Sequence, residues 1–263
     1  YLAETRNFDG TVHFIFQPAE EGIGGAQAMV EDGLFRRFPC DVIFGMHNRP
    51  SLPVGHFAVK SGPMMAAGAF FDIQVTGKGA HGARPETGVD AALAAAQIAV
   101  SLQSIVARNV APVDTAVLSV TQIHAGDAYN VIPQTARLGG TVRAFSREVM
   151  SLLESSMRRV AEGTAAALGA RAELDFRTLF APTINDPQEA AYAAMICTEL
   201  VGAAKVQTDP PLIMASEDFS FMLESRPGAF IFMGNGDTAG LHHPAYDFND
   251  TAIPVGVSYW ARL

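Results

Sequence analysis

The chain has 263 residues, 49% of them apolar, enough for one large domain or two modest ones and too apolar for a disordered segment. Its 18 basic and 27 acidic residues leave a net charge of −9, which argues against a nucleic-acid partner or an anionic membrane surface. No segment is expected to reach the run of roughly 18 apolar residues that a membrane span needs, and Cys40 and Cys197 alone are too few for a disulfide framework and fit a reducing, cytoplasmic setting.

Val12 to Phe16 is a short run of β-branched and aromatic residues and predicts a buried strand. Pro18 stops strand pairing, and Glu20-Glu21 follow, ahead of Gly24-Gly25 and a run with Ala26, Met29, Val30 and Leu34 at helical spacing. Ligand sites in open α/β sheets lie at such strand-to-helix turns. Two neighbouring carboxylates repel, so keeping both there needs a cation or a proton to offset the charge. One then binds a metal while the other handles a proton of the attacking water. The bland alternative is a solvated acidic pair opening a helix, where the macrodipole favours acids. Asp41 to His47 predicts a second buried strand with His47 at its carboxyl end, and a strand–helix–strand order implies a parallel pair that puts His47 on the edge of the Glu pair. Gly55 to Lys60 reads as another short strand.

The pattern then changes. Ala69 to Thr76 alternates, with Phe71, Ile73 and Val75 on one face. Asp90 to Arg108 predicts an alanine-rich helix whose Leu93, Ala96, Leu102 and Ile105 contribute to an apolar stripe. Thr115–Ile123 and Val131–Phe145 predict strands. Ser146 fits the N-cap of a helix to Leu168, with Met150, Leu153, Met157 and Val160 on one face. Arg171–Phe176 is a final alternating strand. This order, βαββαβ, is that of a ferredoxin-like split unit, expected as a domain of residues 66–178 inserted into one made of 1–65 and 179–263. From Asp186 the first pattern returns: a helix with Pro187 at its first position, a short helix begun by Ser216-Glu217-Asp218-Phe219, the buried strand Gly228–Gly234, a loop to Leu241-His242-His243-Pro244, and a terminal helix capped by Asn249-Asp250.

Glu20, Glu21, His47 and His242 or His243 each fall at or beyond the end of a predicted buried strand. Carboxylate and imidazole suit zinc, and also manganese or cobalt. Gly77-Lys78-Gly79-Ala80-His81-Gly82 matches a dinucleotide-binding pattern, but Pro85 delays the helix and no acid occurs from Ala91 to Val113, so that reading is rejected. His81 is either an ordinary turn residue or a group reaching over from the inserted domain. Arg143 suits a substrate carboxylate or a cross-strand ion pair; Asn130, near Pro133, is a polar contact or a turn residue. His13, His56 and His124 read as structural, and Cys40 lacks a base that would make it a nucleophile.

Taken in order, Phe16-Gln17-Pro18-Ala19-Glu20-Glu21-Gly22, Gly45-Met46-His47, the Gly77–Pro85 stretch, Asn130-Val131-Ile132-Pro133, Gly140-Thr141-Val142-Arg143, Ser216-Glu217-Asp218-Phe219 and Leu241-His242-His243-Pro244 resemble the aminoacylase–carboxypeptidase family of metallopeptidases, in its hippurate hydrolase and N-acyl-amino-acid amidohydrolase branch. The resemblance spans about residues 8 to 263. It implies a zinc-peptidase α/β domain interrupted by a ferredoxin-like lid that dimerises. It implies Glu20 as general base, Glu21, His47 and His242 as metal ligands (with His243 where serine is common), His81 as oxyanion donor, and Asn130 and Arg143 as contacts to the substrate. It further implies two divalent ions, with more ligands from a Cys-Gly-His stretch upstream of the Glu pair; no such stretch precedes it here, so the chain reads as a fragment, inactive alone. The expected activity is metal-dependent hydrolysis of N-acyl amino acids by a homodimer, the alternatives being a dipeptidase or carboxypeptidase of the same family, or a non-catalytic relative.

Overall fold

The computed structural model describes residues 1–22 and 24–263. From the amino end, α1 (Leu2–Thr5) precedes residues 6–22, which hold no regular structure, and then come α2 (Gly25–Glu31), α3 (Leu34–Arg37), β1 (Ile43–Pro50), β2 (Phe57–Ala58) and β3 (Gly62–Met65). The middle of the chain runs β4 (Ala67–Thr76), β5 (Ala80–His81), α4 (Ala91–Arg108), β6 (Ala116–Ala125), β7 (Val131–Ile132), β8 (Thr135–Ala144), α5 (Arg147–Ala167) and β9 (Arg171–Phe180). It closes with β10 (Thr183–Asn185), α6 (Pro187–Val201), β11 (Val206–Gln207), α7 (Ser220–Leu223), β12 (Gly228–Gly236) and α8 (Ile253–Arg262). Two units result: Tyr1–Met65 with Thr183–Ile213 and Glu217–Leu263, and Ala66–Pro182 with Met214–Ser216.

The first unit is built on a four-stranded sheet of order β1-β12-β2-β11, with β1 and β12 parallel. Residues 229–233, Ala-Phe-Ile-Phe-Met, are apolar without alternation because β12 is covered on both faces. Phe230 and Phe232 enter one core with Ala26, Leu34, Phe35 and Phe219. Ala229, Ile231 and Met233 enter the other with Ala193, Ile196 and Tyr259. Gly45 is required where β1 passes under these rings, since a Cβ there would lie 2.8 Å from Phe230 and 3.1 Å from Phe219. The expected helix at 187–201 forms as α6, with Pro187 in its first turn and the Asp186 side chain accepting from the Gln188 and Glu189 amides.

Two expectations for this unit are corrected. Val12–Phe16 is not a strand and is not buried: Phe14 is 67% and Phe16 89% exposed. A strand exists only as a member of a ladder, and among the described residues this run pairs with none; β1 is bonded on one side only, by β12. The anticipated parallel pair between that run and β1 is therefore absent. Nor does β1 end at His47. It continues to Pro50, because His47, Asn48 and Arg49 keep register with Phe232, Met233 and Gly234.

The second unit has a four-stranded antiparallel sheet of order β6-β8-β4-β9, the βαββαβ arrangement expected. Phe71, Ile73 and Val75 of β4 face α4 and α5 in one core with Leu138, Val142, Leu153 and Met157. Ser146 caps α5 through the Val149 amide, and Asp90 caps α4 through that of Leu93. The buried face of α4 is Ala91, Ala94, Ala95, Ile98, Leu102 and Ile105. Leu93 and Ala96, expected in the stripe, point outward, because small alanines let the helix lie close along its other face. This helix also corrects the expectation about membrane spans: it is long and apolar enough to cross one by length and composition, but here its apolar face is packed into the core. The strand expected over Val131–Phe145 is broken at Pro133, which has no N–H for a ladder; β7 instead pairs with β5, and β8 begins at Thr135. Cys40 and Cys197 are both free.

Candidate metal centre

The segment Gln17–Gly22 is held by turns rather than by a ladder. Ala19 adopts φ 57°, and Gly22 and Gly24 adopt φ 87° and 75°, left-handed conformations that favour glycine and are strained at alanine. Gly25 presses against the Pro18 carbonyl so closely that a Cβ would sit 1.8 Å from its oxygen. The fold-back presents Glu20 half-buried and Glu21 exposed.

Around Glu20 the structure gathers Glu21, Asp218, His47 and His242. Burial raises the Glu20 carboxyl above its ordinary range, Glu21 and Asp218 push it further up, and the two histidines act in the opposite sense. The carboxylates of Glu20, Glu217 and Asp218 lie within 4.8 Å of one another. His242, at φ 64°, brings its Nε2 to 4.0 Å from Glu21 Oε2. His47 places its Nδ1 2.5 Å from the Asn48 carbonyl, so Nδ1 carries the proton and Nε2 keeps its lone pair, the usual support of a metal-binding imidazole. His243 differs, because its Nδ1 accepts from the Ala245 amide at 3.0 Å and its neutral ring therefore carries the proton on Nε2.

Two members of this cluster were missed as site residues by sequence reasoning. Glu217 is 6% exposed and its carboxyl is pushed up to about 7, by burial first and then by Glu20 and Asp218, against a hydrogen bond from the Phe219 amide. Asp218 is fully buried and accepts from Gln17 Nε2 at 2.6 Å and from the Ala26 amide at 2.9 Å. The signal was two adjacent acids opening a short helix beside apolar phenylalanine, a pattern that reads as an ordinary cap. Carboxylates crowded this closely next to imidazoles offer donor atoms of the kind a divalent cation takes, and a cation there would offset the charge repulsion that adds to burial at Glu20.

The remaining predicted residues, His81, Asn130 and Arg143, belong to the other unit. His81 lies on β5, a short strand rather than a turn, opposite Val131, and Gly82 donates to the Asn130 carbonyl at 2.7 Å. The Ala83 amide donates to His81 Nδ1 at 3.0 Å, which leaves Nε2–H as an outward donor on an exposed ring. Arg143 is half-buried in β8 and bonded to Thr141 Oγ1 and the Val142 carbonyl. Burial lowers its pKa, and no carboxylate pairs with it among the described residues.

The chain matches Peptidase family M20/M25/M40 over residues 1–263. It is 39% identical to hippurate hydrolase of Campylobacter jejuni over 263 residues, covering 100% of this chain and 68% of that protein. It is 41% identical to N-acetylcysteine deacetylase of Bacillus subtilis over 254 residues, covering 97% and 66%. Among solved structures, a protein of methicillin-resistant Staphylococcus aureus described as an aminohydrolase by assignment superposes with a TM-score of 0.87 at 27% identity, over 94% of this chain and 64% of that one. A Bacillus subtilis protein described as a dinuclear metal binding peptidase of the M20 family does so with 0.79 at 36%, over 95% and 63%. The chain thus spans about two thirds of the length of the proteins it matches. With a family match along its whole length and relatives near 40% identity, the chain belongs to Peptidase family M20/M25/M40.

Proposed function

We propose that the protein carrying this chain is a metal-dependent amidohydrolase that cleaves N-acyl amino acids into a carboxylic acid and a free amino acid. The observation that carries this reading is the gathering of Glu20 and Glu21 with His47 and His242 in the first unit: a carboxylate to handle a proton beside a set of metal-binding atoms. The reaction class is supported by the relatives' names, hippurate hydrolase and two deacetylases of N-acetyl amino acids, those of N-acetylcysteine and N-acetyldiaminopimelate. Glu21, His47 and His242 would hold a divalent ion, zinc or else manganese or cobalt, as one of two. His242 fits better than His243, whose Nδ1 already accepts a backbone hydrogen bond. When bound, the ion polarises the amide carbonyl and lowers the pKa of nearby water from 15.7 toward about 7.

Glu20 takes the proton of the attacking water on a carboxylate oxygen and delivers it to the leaving amide nitrogen. His81 offers Nε2–H to the developing oxyanion, and Asn130 and Arg143 hold the substrate's polar groups, Arg143 its carboxylate. We place a homodimer contact on the 66–178 domain, supported by β6, an edge strand with exposed Val117 and Ile123.

The test is hydrolysis of hippurate, N-acetyl amino acids and simple dipeptides by the protein carrying this chain. Acyl amino acids are expected to be cleaved faster than dipeptides. Activity should vanish on chelation and return with zinc, manganese or cobalt. Faster dipeptide cleavage, or activity that survives chelation, contradicts the proposal.

A further inference from the structure

The segment that presents Glu20 and Glu21 has no ladder of its own, so something else must fix it. Asp218 holds both flanks with one side chain. Its Oδ1 accepts from Gln17 Nε2 at 2.6 Å, three residues before Glu20, and its Oδ2 accepts from the Ala26 amide at 2.9 Å, five residues after Glu21. Ala26 lies in the first turn of α2, where amides lack a helical partner. The usual cap is missing there: Gly24 has no side chain and sits at φ 75°, and Gly25 has no room for a Cβ against the Pro18 carbonyl. Asp218, 192 positions away in sequence, supplies the acceptor instead, with a charge that suits the start of a helix. It is 0% exposed, so the bond to the Ala26 amide is buried and that to the half-buried Gln17 is partly shielded from competing water.

We infer that Asp218 is a positioning residue, a brace that sets where Glu20 and Glu21 stand by clamping Gln17 and Ala26 together. The inference rests on the proposed function for the roles of those glutamates. Each oxygen of Asp218 accepts from an amide, the engagement expected of a brace, and the exchange of Gln17 and Asp218 described below separates that role from direct metal ligation. Residues that orient metal ligands in this way cost about 10–100-fold in metal affinity or activity when removed.

The pair Gln17–Asp218 permits a reciprocal exchange. Gln17→Leu removes one bond without adding charge, and Gln17→Glu sets two carboxylates against each other. Asp218→Asn combined with Gln17→Glu restores the arrangement with donor and acceptor reversed: the asparagine amide donates to the new carboxylate, its oxygen still accepts from Ala26, and the net charge is unchanged. Three readouts apply in the protein carrying this chain: hydrogen exchange of the 17–26 segment without metal, cobalt(II) affinity by spectroscopic titration, and kcat against KM on hippurate. Both single variants should speed exchange, weaken cobalt binding and lower kcat, each of the last two by about 10–100-fold with KM little changed; the double variant should recover all three. Faster exchange with unchanged cobalt affinity overturns the inference, and so does a double variant no better than Gln17→Glu, as expected if Asp218 were itself a ligand. Cobalt affinity that falls and recovers as described, in a protein that cleaves no N-acyl amino acid, supports the brace and contradicts the proposed reaction. A wild type that binds no cobalt overturns both.

Discussion

Arg143 is the residue at which a substrate-binding role and a purely structural one can be told apart by experiment. A half-buried guanidinium without a carboxylate partner among the described residues keeps an unspent charge, and burial lowers its pKa because the charged form is desolvated. If that charge receives the substrate's carboxylate, Arg143→Met should lower kcat/KM for hippurate by roughly 10²-fold while leaving the uncharged hippuramide little changed. Equal losses on both substrates would show that Arg143 only supports the sheet. A cross-strand ion pair at Arg143 stays open in the sequence, because β8's neighbours cannot be named there. The same limit hides Asp218: its partners Gln17 and Ala26 are some 200 positions away, and nothing local distinguishes a brace from a helix cap. Glu20, Glu21, His47 and the His242-His243 pair stand out in the sequence only together, as carboxylates and imidazoles at the ends of apolar runs, since each alone reads as an ordinary loop residue. What distinguishes His243 from His242 in this structure, the Ala245 amide on the His243 Nδ1, is invisible in the sequence.

At the scale of elements, β6 is the informative strand. It stands at the edge of the second unit's sheet, its outer side paired with no strand among the described residues and Ile123 55% exposed, a surface that single-chain proteins usually blunt. Sedimentation of the protein carrying this chain should give a dimer, and Ile123→Lys should shift it to monomer with the fold intact by circular dichroism. A wild-type monomer, or a dimer indifferent to Ile123→Lys, contradicts pairing through this edge. Elements whose signals are local are readable: α5 and α6 carry their caps in Ser146 and Asp186, and β12 its unbroken apolar run. Val12–Phe16 misleads because its apolar pattern specifies a strand only if a neighbour exists to pair with it. The phase of α4 misleads because alanines, not Leu93, set its buried face.

For the molecule as a whole, the mixed α/β class is visible in the switch between unbroken and alternating apolar runs, and each unit has cores of its own. The centre is less visible, since its groups come from residues 20, 21, 47, 217, 218 and 242 and meet only through folding. The proposed chemistry stands on a division of labour between adjacent glutamates, Glu20 handling the proton and Glu21 the metal. The most direct measurement is metal content and hippurate turnover of the isosteric variants Glu20→Gln and Glu21→Gln in the protein carrying this chain. Glu20→Gln should keep its metal and lose about 10²–10⁴-fold in turnover, while Glu21→Gln should lose metal. Equal loss of metal in both variants, or full turnover in Glu20→Gln, would contradict that division.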